Sequence, residues 1–159
     1  MSGLRRGFDG ELQAIDVTVA QLFGMVVEGL SEAARALLED RADVAGTLAA
    51  RDQVVDSVYR EIEELVNRQI LLQAPVACDL RFLLSALRVV PELERSHDLV
   101  AQIASRAGQV PAGELSPAAG RLAGQMSDLV SGLWRAAADA WYRRDGARAA
   151  ELDERAEEL

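Results

Sequence analysis

Apolar residues recur three and four positions apart almost without interruption along this chain, and that spacing is what most narrows the folds open to it. From Leu12 the series runs through Ile15, Val19, Leu22, Val26, Leu30 and Ala33 to Leu37, one face of a long helix. Polar residues at Glu39-Asp-Arg-Ala-Asp43 break it. The period then restarts at Val44, Leu48, Val55, Val58, Ile62, Leu65 and Leu72, so a tight turn between antiparallel helices is predicted there. Pro75 falls where a third helix is expected to begin, a position at which its missing N–H is harmless, and Leu80, Leu83, Leu84, Leu87 and Val90 mark that helix's expected buried face.

Beyond it, Gly108 to Pro117 reads as a linker. Ser116-Pro117 predicts an N-cap and first turn for a fourth helix, continued by Leu122, Met126, Leu129, Leu133 and Ala140. Arg143-Arg-Asp-Gly146 predicts a turn into a fifth helix that holds the remaining residues. The expected organisation is a three-helix unit over 8–107, a linker over 108–117, and a two-helix unit over 118–159. A weak internal repeat relates Leu37–Asp43 and Asp52–Asp56 to Trp141–Asp145 and Asp153–Glu157. The fold class is all-α.

Composition supports this: half the residues are hydrophobic but only 4% aromatic, which favours helices packed through aliphatic side chains. Lys and Arg number 17 against 26 Asp and Glu, a formal charge of −9, which argues against a phosphate-binding, nucleic-acid surface and favours cations or basic protein patches. The single cysteine, Cys78, allows no intrachain disulfide and is expected to be a small buried hydrophobe. The longest uncharged run near the N-terminus, Val17 to Val27, is too short to cross a bilayer. A soluble, cytoplasmic protein is expected.

Carboxylates stand four apart in three places: Asp52 and Asp56, Glu94 and Asp98, Asp153 and Glu157. On a helix each pair shares a face, and the like charges repel by a few tenths of a kcal/mol unless a cation bridges them. Oxygen-rich groupings of this kind suit hard or borderline divalent ions and iron. Asp52 and Asp56 fall on the shoulder of their apolar stripe, whereas the stripe through Leu84, Leu87 and Pro91 leads into Glu94 and Asp98. Those two acids therefore need either solvent or partners. A metal-free network with Arg51 and Arg95, and a plain solvated helix face, compete with the metal reading. His97 completes a Glu-x-x-His element with Glu94, of the type used in di-iron carboxylate bundles. As the chain has one histidine, such an oxidase site would require a symmetric dimer. No serine, cysteine or Gly-rich arrangement suggests hydrolysis or group transfer, and no enzymatic activity is expected.

Three segments resemble the PhoU family of bacterial phosphate-signalling regulators: Gln73-Ala-Pro-Val-Ala-Cys-Asp-Leu-Arg81, Arg51-Asp-Gln-Val-Val-Asp56 with its D/E-x-x-x-D pattern, and Glu92-Leu-Glu-Arg-Ser-His-Asp98 with its L-E-R-x-x-D pattern. The resemblance implies tandem three-helix bundles whose paired acids hold multinuclear metal clusters on the surface, iron or zinc being the expected ions. By position, Asp52, Asp56, Glu94 and Asp98 would serve a first cluster, with His97 a further candidate ligand, and Asp153 and Glu157 a second. It also implies an adaptor that restrains phosphate uptake and starvation signalling by touching the ATPase subunit of the phosphate ABC transporter and a sensor histidine kinase, peripheral to the membrane through those partners.

Two departures from the family pattern carry expectations of their own. The sequence stops before a sixth helix, so the second bundle is expected to be incomplete and Asp153 with Glu157 to form at most half a site. Leu129, Leu133, Trp134 and Trp141 would then lack packing partners, which suggests a homodimer through the C-terminal half. Pro91 is expected to kink the third helix.

Overall fold

A computed structural model describes residues 2–39, 43–109 and 115–157, with side chains from 6–39, 44–109 and 115–156. The described residues form five helices, α1 (Ser2–Glu39), α2 (Asp43–Gln73), α3 (Ala77–Ala107), α4 (Pro117–Arg143) and α5 (Gly146–Glu157). The turn expected between α1 and α2, and residues 110–114 of the 108–117 linker, lie outside them.

Side-chain pairs fix the topology. Arg51 reaches Glu32 at 3.0 Å and Arg68 reaches Glu11 at 3.4 Å, so α2 runs antiparallel to α1. Trp141 donates its indole N–H to Asp16 at 2.9 Å and also packs on Phe82, while Gly29 abuts His97 and Val100. These levels make α3 parallel to α1. Phe23 meets Trp134 at 6.0 Å between ring centroids, which with the Asp16–Trp141 bond runs α4 antiparallel to α1.

α1 is thus the shared wall of the molecule, packed by α2 and α3 on one side and α4 on another. A stretch within Arg6–Glu39 is long and apolar enough to cross a membrane, with a mean hydropathy of 1.4. Its Ile15, Val19, Leu22 and Val26 are buried in the core, as a central bundle helix requires.

Local chemistry explains the helix ends. Ser116 caps α4 by accepting a hydrogen bond from the Ala119 amide at 3.2 Å, with Pro117 at the first helical position. α4 ends at Arg144, whose left-handed φ of 54° turns the chain, and Asp145 accepts from the Arg148 amide at 3.1 Å to start α5. α3 begins two residues after Pro75, because the connection bends through left-handed Ala74 and Ala77. Helix α3 is continuous through Pro91.

The buried face of α3 is rotated from the expected one. Its buried series is Leu83, Ala86, Val90, Leu93, His97, Val100, Ala104 and Ala107, whereas Leu84 is 42% exposed. The unbroken three-four spacing of that series matches the seam of α1 through Val19, Leu22, Val26, Gly29, Ala33 and Ala36. Packing two such seams in parallel selects this phase over the leucine-richer neighbouring stripe. Cys78 is exposed rather than buried, its sulfur 3.4 Å from an Arg81 guanidinium nitrogen, because it lies in the first turn of α3 ahead of the buried series.

Candidate cation site

The core falls into two apolar clusters with a polar layer between them. The larger ends at Val26, Val55 and Leu93; the smaller begins at Ala33, Leu48 and Val100. At the level between them stand Gly29 of α1, Asp52 of α2 and His97 of α3. His97 is fully buried, and its Nδ1 lies 3.0 Å from Asp52 Oδ1. An ionised carboxylate only accepts, so Nδ1 carries the hydrogen and donates it. The buried Nε2 has no hydrogen-bond partner among the described residues and faces Gly29, where a Cβ would sit 4.0 Å from it.

Outward from this layer, carboxylate oxygens of Asp56, Glu94 and Asp98 lie within 4.8 Å of one another, each residue half-buried. The i, i+4 spacing on two neighbouring helices brings them together, as the sequence predicts. Asp52 lies beside the group, and its charge acts on both Glu94 and Asp98. Partial burial, then the charges of Asp98, Asp56 and Asp52, raise the Glu94 carboxyl above its ordinary value. Partial burial raises Asp98 as well, followed by the charge and hydrogen bond of Asp52 and the charge of Asp56, with His97 acting in the opposite sense. The cluster is therefore short of positive charge.

The neighbouring arginines do little to supply it. Arg51 turns away to Glu32 at 3.0 Å, Arg60 approaches Asp56 at 3.6 Å with its side chain 68% exposed, and Arg95 is exposed. The hydrogen bond to Asp52 comes instead from His97. Three carboxyls with oxygens this close, half-buried and undercompensated, with Asp52 one helical turn from Asp56, fit a hard cation of several oxygen ligands. His97 does not present a nitrogen to that space: one is bonded to Asp52 and the other is enclosed by α1. That geometry also does not favour a di-iron oxidase built on Glu94 and His97.

At the other end, Asp153 is exposed on α5 and joins no such group among the described residues; the Glu157 side chain lies outside them. Asp153 instead rims an apolar cavity of about 960 Å³ between α3, α4 and α5, lined by Phe82, Leu133, Trp134, Trp141 and Leu152. The two tryptophans are not left without partners, since they pack on Phe23 and Phe82. Leu122, Met126 and Leu129 do remain exposed.

The family profile described as the PhoU domain matches residues 19–107, the segment that carries all four of these acids. The chain belongs to the PhoU family. It is 29% identical over 162 residues to a phosphate-specific transport system accessory protein PhoU homolog of Deinococcus radiodurans, covering 98% of this chain and 74% of that one. The crystal structure of PhoU from Pseudomonas aeruginosa is similar with a TM-score of 0.84 at 26% identity, over 91% of this chain and 69% of that one. The phosphate transport system regulatory protein PhoU from Streptococcus pneumoniae is similar with a TM-score of 0.85 at 26% identity, over 95% and 70%. The fold is that of the PhoU tandem helical bundles, and membership places the chain among regulators rather than enzymes.

Proposed function

We propose that this chain is a cation-binding regulatory adaptor that negatively regulates phosphate uptake and phosphate-starvation signalling from the cytoplasm. The observation that carries the reading is the convergence of Asp56, Glu94 and Asp98 within 4.8 Å, inside the segment matched to the PhoU domain. Asp56, Glu94 and Asp98 would hold a divalent or ferric ion, iron or zinc first among them, and Asp52 would add a fourth carboxylate. The bound ion neutralises a face that otherwise repels acidic surfaces, and so governs which partner surface can dock there. The ATPase subunit of a phosphate ABC transporter and a sensor histidine kinase are the proposed partners.

Asp153 and Glu157 are proposed as contributors to a second site, and the exposed Leu122, Met126 and Leu129 support a homodimer through α4. Sedimentation showing a monomer at high micromolar concentration overturns the dimer. The adaptor reading is tested by capturing the purified transporter ATPase on this protein, with and without chelator. Metal-dependent capture is expected, and no capture under either condition overturns the reading.

A further inference from the structure

We propose that His97 is a positioning residue for the cation site: it fixes the Asp52 carboxylate from inside the core, one helical turn from Asp56 and beside the acids of α3. This rests on the cation reading of the acid cluster. A histidine at 0% exposure in a helix seam is otherwise an expensive choice, since each seam position around it is aliphatic or small. Leu93 and Val100, one step along the same series, are buried in the apolar clusters on either side.

Two features show that the ring is accommodated rather than tolerated. Gly29 stands opposite it on α1, where a Cβ would approach Val100 Cγ1 to 3.0 Å and Leu48 Cδ2 to 3.4 Å. A larger residue there would press on the side chains that enclose the ring. Among the described residues the ring's hydrogen bond, at 3.0 Å, goes to Asp52 and not to a backbone carbonyl. The Asp52 side chain is one-third exposed while His97 is wholly enclosed. Asp52 therefore bridges the interior and the surface acids.

Ligating carboxylates are held by hydrogen bonds from outer groups whose removal weakens metal binding by about 10–100-fold. His97 supplies that bond here, and its other nitrogen faces α1, so it acts through Asp52 and does not touch the ion.

The experiment uses the full chain and two substitutions. His97→Leu removes the donor and keeps an apolar filling; His97→Asn retains an N–H near the Nδ1 position. Calorimetric titration with Mn²⁺ is expected to show at least about tenfold weaker binding for His97→Leu and near wild-type affinity for His97→Asn, with unchanged helical circular dichroism in both. Unweakened binding by a folded His97→Leu overturns the proposal while sparing the cation site, and equal losses in both variants do the same. Absence of Mn²⁺ binding by the wild type overturns the cation reading and this proposal with it.

Should His97→Leu fail to fold, the wild-type protein still decides the matter, because His97 is its only histidine and its ring ¹⁵N signals are unambiguous. They are expected to report a hydrogen on Nδ1, retained on adding Zn²⁺. Loss of the Nδ1 hydrogen on adding Zn²⁺ would make His97 a direct ligand and overturn the positioning role.

Discussion

Replacing Asp98 by Asn should stabilise the metal-free protein, an unusual direction for a substitution in a functional cluster. At the 4.8 Å limit separating its oxygens from those of Asp56 and Glu94, one like-charge contact amounts to about 0.9 kcal/mol at water's dielectric constant. Asp98 makes two within that group. Salt and solvent screening reduce the sum to roughly 1 kcal/mol, and Asn retains the ability to hydrogen-bond Asp52.

For a chain of this size that is about 2–4 °C in Tm, measured in chelator at pH 7 and low salt. The sign follows from linkage: the folded state raises the Asp98 pKa, so its share of stability is full below the ordinary value of 3.8 and is lost as pH rises through the raised one. The wild type carries that penalty to the extent that Asp98 is ionised, and the advantage of Asp98→Asn should vanish as pH falls toward 4. Saturating Mn²⁺ should reverse the order, because a ligand at 100 times its Kd adds about 2.7 kcal/mol to the protein that binds it. An Asp98→Asn variant that melts at or below the wild type in chelator at pH 7 would refute the charge accounting, as would an advantage that persists undiminished at pH 4.

Other substitutions probe the frame that holds the site. Gly29→Ala places a methyl 3.0 Å from Val100 Cγ1; overpacking should outweigh the gain in helix propensity and destabilise by roughly 1 kcal/mol in urea unfolding. Trp141→Phe removes the 2.9 Å bond to Asp16 and should lower stability by about 1 kcal/mol, read from the unfolding midpoint. Ser116→Ala deletes the cap on α4. It should cost about 1 kcal/mol and speed hydrogen exchange at the Ala119 amide, with no effect on cation binding.

The helical series and its turns were legible because long three-four runs leave strands no room, and because Ser116-Pro117 and Arg143–Gly146 carry recognisable cap and turn chemistry. The phase of α3 was not. Its true seam contains Ala86, Ala104, Ala107 and His97, three residues that count weakly as apolar and one that counts as polar, whereas Leu80, Leu84 and Leu87 beside it draw the eye. Extending the spacing Leu83, Ala86, Val90, Leu93 by one step reaches His97, and that was the available signal. The convergence of Asp56, Glu94 and Asp98 was legible because i, i+4 spacing survives any error of phase. The bond between Asp52 and His97 joins two helices whose relative rotation only packing determines, so spacing within either helix could not reveal it. Cys78, expected in the core, is exposed because it lies in the first turn of α3, ahead of the buried series.

The central claim is that the carboxylates converging from α2 and α3 bind a cation. It is tested most directly by elemental analysis of the protein after equilibrium dialysis against Mn²⁺, Zn²⁺ or ferrous iron under argon, beside a folded Asp56→Asn, Glu94→Gln, Asp98→Asn variant. Retained metal is expected in the wild type and none above background in the variant. Equal metal content in the two proteins would contradict it.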